Sequence, residues 1–136
     1  MDVANTTGGL IDAGVVRLSF PLDLAYVRLA RLVASGLGAL ADMSIDEIED
    51  LRIAVNEMCT STIESADTGD IALLFHLTDD AIRMEGSASL RAGYAESPSL
   101  QDDLVQQILG AVVDERTSVR LAGAQTFSLV KKRLSS

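Results

Sequence analysis

Residues Ser44 to Ala66 read SIDEIEDLRIAVNEMCTSTIESA, and this stretch decides the fold. Ser44 stands three residues before Glu47, the spacing at which a Ser hydroxyl caps a helix start while the Glu reaches back to the free backbone N–H. A helix therefore begins here. Ile48, Leu51, Val55, Met58, Cys59, Thr62 and Ala66 recur at helical spacing as its core stripe. Asp46, Glu47, Glu49 and Asp50 fill the first two turns, where the helix dipole favours negative charge. Asp67 to Gly69 ends the helix.

Upstream, Val16, Leu18 and Phe20 alternate with Val15, Arg17 and Ser19, the pattern of a half-buried strand. Pro21 closes it and suits the first turn of a helix. Leu22, Tyr26, Leu29, Ala30, Val33, Leu37 and Leu40 carry that helix, with Arg28 and Arg31 on its outer side and Gly36 and Gly38 weakening its last turns. Downstream, Ile71–Thr78 and Ala81–Ser87 alternate around Asp79 and Asp80 as an antiparallel hairpin. A polar loop over Arg91–Ser99 leads into a third helix, Leu100–Val113, and two closing strands, Ser118–Leu121 and Thr126–Val130, flank Gly123. The order βααββαββ predicts an α+β two-layer sandwich, a mixed, mostly antiparallel sheet covered on one face by three helices. Val16, Leu18, Leu73, Phe75, Met84, Val119 and Phe127 are the strand residues expected to meet the helices.

Composition narrows the function classes. The 136 residues, 48% of them hydrophobic, suffice for one domain with its own core. One cysteine and one histidine exclude disulfide scaffolds and His/Cys metal clusters. A net charge of −9 argues against nucleic acid and anionic membranes as partners, since both require a basic surface. Residues 1–14 are small and polar, without the basic and apolar regions of a leader, and are read as a flexible tail before a domain spanning 15–136. With no apolar run of membrane-spanning length, a cytoplasmic setting is expected.

Leu51–Ala66, LRIAVNEMCTSTIESA, resembles the nucleotide-site helix of the anti-sigma-factor serine/threonine kinases, whose usual form is LxxAVxEACTNAVxHA. These belong to the superfamily of histidine kinase-like, Bergerat-type ATPases. The Phe20-Pro21 strand end with the Arg28/Arg31 helix, Ile108–Glu115 (ILGAVVDE) and Gly123–Arg133 are similar to other family segments in the same order. The resemblance implies that Glu57 takes the place of the carboxylate that polarises the attacking hydroxyl. Ser61 stands where the family has the Asn that holds Mg²⁺ between the phosphates. Residues at i and i+4 share a helix face, which is why the chemistry needs this spacing. Asp50, Ala54, Glu57 and Ser61 form that stripe here.

Three departures mark the implied site as degenerate. Ser61 is shorter than Asn, and Mg²⁺ demands near-ideal octahedral distances. The family's DxGxG segment, which meets adenine, corresponds to Met84–Leu90 (MEGSASL), with Gly86 alone and Glu85 on the face opposite Met84. The phosphate-cradling GLGL corresponds to Asp103, Leu104 and Val105, where a carboxylate repels phosphate and branched side chains block its approach to the backbone. Weak or absent nucleotide binding is therefore expected, with ATP and Mg²⁺ as cofactors only if the site still works. Glu57 is then a vestigial base, and Ser61, Gly86 and Asp103 are the degenerate nucleotide positions.

The function implied is an anti-sigma-factor-like regulator acting by protein binding in a partner-switching pathway. Its partners would be a sigma factor or an anti-sigma antagonist protein, and a second copy in a homodimer. Arg28 and Arg31 are the candidate partner-binding residues, able to make charge-assisted hydrogen bonds with carboxylates. Two alternatives stand beside this reading: an active ATP-dependent serine/threonine kinase, and a dimerising accessory domain. The plain structural readings are a solvated Glu57, a back-bonding Ser61, Cys59 as core filler and His76 as a satisfied sheet-face histidine.

Overall fold

The computed structural model describes residues 14–66, 69–89, 100–121 and 123–134. The expected tail (bar Gly14), the helix stop at Asp67 and the loop over 91–99 lie outside them. Strand β1 (Gly14–Pro21) passes through a single 3₁₀ turn, Leu24–Tyr26, into α1 (Val27–Leu40), followed by α2 (Ile45–Ser65). The hairpin β2 (Asp70–Leu77) and β3 (Ala81–Ser89), then α3 (Leu100–Val112), β4 (Glu115–Leu121) and β5 (Ala124–Lys132) complete the order. The first helix thus starts later than its apolar spacing suggests. Asp23 accepts a 2.9 Å hydrogen bond from Ala25 N and holds the entry as a tight turn.

The five strands form one sheet in the order β1-β2-β3-β5-β4, and all four ladders are antiparallel. No parallel ladder is present among the described residues. The α3 crossover leaves β3 and β4 running in the same direction, but β5 inserts between them, so the parallel relation never becomes a hydrogen-bonded pair. β4 begins at Glu115, earlier than Ser118: Glu115, Arg116 and Thr117 pair with β5, but being charged or polar they show no strand alternation in the sequence.

Phe20, Ile71, Leu73, Phe75, Ile82, Met84, Phe127 and Leu129 build the sheet side of the core. Val27, Ala30, Ala34 and Leu37 from α1, the stripe of α2 and Leu109 of α3 close it from above. Each large side chain buried this way contributes about 1.5–3 kcal/mol. Gly38 lets α1 approach α2: a Cβ there would sit 2.7 Å from Ile48 Cγ1. Leu18 packs at the margin, and Val16, on an edge strand, stays partly exposed. Val119 corrects the expectation. It pairs with Thr126, on the sheet face away from the helices, and is 50% exposed.

The start of α2 is tied down from two sides. Ser44 Oγ accepts from Glu47 N at 3.1 Å, and Glu47 Oε1 accepts from Ser44 N at 2.7 Å, completing the anticipated capping box. Glu47 Oε2 accepts from Leu134 N at 2.6 Å, just after β5. Lys131 Nζ reaches Asp50 Oδ2 at 3.3 Å and donates to the Val112 carbonyl at 3.0 Å, so β5 is fastened to both α2 and α3.

Candidate functional site

The helical rise that sets the stripe Asp50, Ala54, Glu57 and Ser61 turns only part of it outward. Ala54 is fully buried and Asp50 is engaged by Lys131. Glu57 and Ser61 are both half-buried, one turn apart on α2. Asp103 is exposed in the first turn of α3, the helix packed against α2. The structure therefore places these three on adjoining helices of one layer.

Gly86 has a different setting. It lies in the middle of β3, paired with Phe127 of β5, and the Phe127 ring covers it on the helix side. A Cβ at Gly86 would sit 2.7 Å from both Cε1 and Cε2 of that ring. The glycine admits a ring of the protein itself.

The two arginines of α1 do not share a surface. Arg28 is exposed, as expected. Arg31 is half-buried and donates to Asn56 Oδ1 of α2 at 2.7 Å. The expectation that both stand on the outer side is corrected for Arg31, which follows the buried Val27 by one helical turn and so faces the same neighbour.

Cys59 is fully buried, and burial pushes its thiol up to about 12, so no reactive thiolate forms near neutral pH. His76 Nε2 lies 3.3 Å from Glu85 Oε1 on the sheet face away from the helices. That face carries a concavity of about 760 Å³ bordered by Arg17, Ser19, Ala72, Leu74, Glu85 and Ser87.

Sequence reasoning missed a polar cluster beneath the far end of α2. Gln125 of β5, 2% exposed, points toward the helices. Its Oε1 accepts from Ser65 Oγ of α2 at 2.9 Å and from Arg120 Nε of β4 at 3.1 Å, and its Nε2 donates to Ser118 Oγ at 3.4 Å. Ser65 Oγ also lies 3.1 Å from the Thr62 carbonyl, and the buried Thr62 Oγ1 has no hydrogen-bond partner among the described residues. The signal was available: residues 125, 127 and 129 share one strand face, so a glutamine stands in register with two core residues.

No family model matches the chain. It is 30% identical over 115 residues to the serine-protein kinase RsbW of Bacillus licheniformis, a match covering 81% of this chain and 67% of that protein. With the serine-protein kinase RsbW of Bacillus cereus it shares 32% identity over 72 residues, 51% of this chain and 45% of the relative's length. A solved structure of RsbU and RsbW domains from Mycobacterium tuberculosis has the same fold, with a TM-score of 0.72 over 91% of this chain and 34% of that one, at 16% identity.

Proposed function

The chain belongs to the family of RsbW serine-protein kinases, and on that premise we propose that it is an anti-sigma-factor-type regulator. It works by binding proteins in a partner-switching pathway in the cytoplasm, and its nucleotide site is degenerate. The observation that carries the reading is Ser61. It occupies the i+4 position from Glu57 in a helix otherwise in register with the family form, and a half-buried hydroxyl there is too short to take the place of a carboxamide on Mg²⁺. Two observations add support. Asp103, at the position that by resemblance would meet phosphate, is an exposed carboxylate, and the space over Gly86 is filled by Phe127. The residues present do not fit Mg·ATP.

Regulation survives such a loss, because occluding a partner's surface requires a stable patch and no chemistry. Arg28, exposed on α1, is the cation that a sigma factor or antagonist carboxylate would meet. No helix among the described residues is long and apolar enough to cross a membrane. Calorimetric titration with Mg·ATP is the test. No binding in the low micromolar range is expected, and a dissociation constant in that range restores the second reading, an active kinase, which the retained Glu57 favours.

We propose too that the chain pairs with a second copy, through the sheet face that lies away from the helices. Arg17, Leu74 and Glu85 lie in one row across β1, β2 and β3. A two-fold axis along β2 sets Leu74 on the partner's Leu74 and Arg17 opposite the partner's Glu85, twice by symmetry. Arg17→Glu is expected to halve the mass seen by light scattering, and adding Glu85→Arg to restore it. A monomeric wild type, or a dimer indifferent to both changes, removes this face from consideration.

A further inference from the structure

The Gln125 cluster does more than fill the core, and its position relative to the implied base site shows what. The inference rests on the reading of a degenerate nucleotide site. The segment Met84–Leu90 is the one that, by resemblance, would meet a base, and on its helix side the described residues are Met84, Gly86 and Ala88. Phe127 covers Gly86, and Ala88 pairs directly with Gln125. A base entering between β3 and α2 therefore meets a side chain that already spans the gap from β5 to Ser65 of α2.

A carboxamide is planar and offers an acceptor beside an NH₂ donor, the same pair that adenine presents on its amino-bearing edge. In this chain that acceptor and donor are already engaged by Ser65, Arg120 and Ser118. We propose that Gln125 is a resident occupant of the base end of the site, its carboxamide taking the hydrogen bonds that a purine base would otherwise receive. The arrangement has an energetic logic. Ser65 and Thr62 are buried polar residues on one face of α2, and buried groups left without partners are costly. Gln125 satisfies Ser65 permanently, so the closed site is stable with no ligand bound. Thr62 Oγ1, one turn earlier and without a partner among the described residues, is a buried polar atom that this occupant does not reach.

Removing the side chain opens the space and leaves the Ser65 and Ser118 hydroxyls without the partner they have now. Gln125→Ala and Gln125→Thr test this, the threonine keeping a strand-forming residue in case the alanine variant does not fold. Adenosine is the probe, because it carries no phosphate and is indifferent to Ser61 and Asp103. A far-UV spectrum and a cooperative melt qualify each variant. At least one folded variant is expected to bind adenosine about tenfold more tightly than the wild type, seen by calorimetry and as a ligand-dependent rise in Tm that ribose does not produce. Folded variants that gain no affinity, or a wild type that binds adenosine as tightly as they do, overturn the proposal. A parallel titration of the wild type with Mg·ATP separates the two ideas: low-micromolar binding there overturns the degenerate site, while the adenosine comparison alone judges Gln125.

Discussion

Gly86→Val is expected to cost about 3 kcal/mol, a large share of the roughly 5–15 kcal/mol that holds a domain of this kind together. The Phe127 ring is itself 3% exposed and wedged between β5 and the helices, so it has nowhere to retreat when a Cβ arrives 2.7 Å from two of its atoms. Overpacking then moves either the ring or the β3–β5 ladder, the longest register in the sheet. Chemical denaturation checks the size, and a double-mutant cycle checks the cause. Phe127→Ala alone opens a cavity worth about 3–5 kcal/mol, yet combined with Gly86→Val it should cost clearly less than the two added together. Strict additivity would show that the glycine matters for another reason.

Glu47 should produce the second large effect, and it should depend on pH. Glu47 is 7% exposed, and its carboxylate accepts from two backbone N–H groups, one at each end of the chain segment it bridges. The hydrogen bond from Leu134 N, followed by that from Ser44 N, holds its pKa below the ordinary glutamate range, against the opposing effect of burial. A depressed pKa in the folded state means that this stabilisation is complete above the ordinary range, near pH 4.3, and is lost as pH falls through the lower folded value. Glu47→Gln keeps an acceptor for Ser44 but can turn an NH₂ group toward Leu134 N, and a cost of about 1.5–3 kcal/mol at pH 7 is expected. Melts recorded from pH 7 downward should show the wild type converging on the variant in acid. A gap that stays unchanged over the whole acid range in which both proteins remain folded would exclude ionisation as its source.

What the sequence disclosed and what it hid divide along physical lines. The α2 helix was legible because its evidence is local: Ser44 and Glu47 are three residues apart, and the stripe repeats within one element. Strand faces in the last hairpin were not legible, because the side that Val119 takes is set by its pairing with Thr126 rather than by its own polarity. Ser118 and Arg120 turn inward toward Gln125, inverting the rule that apolar residues face the core. Arg31 was misplaced for a related reason. A charged residue suggests solvent, yet its hydrogen bond to Asn56 makes the inner position tolerable. In the candidate site, the residue types at positions 57, 61 and 103 could be read directly, whereas the setting of Gly86 and Gln125 required knowing which strand lies beside β3.

The insertion of β5 between β3 and β4 also sets the order of events on the ribosome. When α3 and β4 have emerged, the place beside β3 still has no occupant, and the strand that fills it is synthesised after both of its neighbours. Until then the nascent hairpin of β2 and β3 carries an open edge, the kind of edge to which other chains add. Closure must also bring together residues as far apart in sequence as Ala81 and Lys132, a contact that costs loop entropy before it returns any stability. The new chain is therefore at its most vulnerable to aggregation between the emergence of β3 and the docking of residues 124–132 beside it.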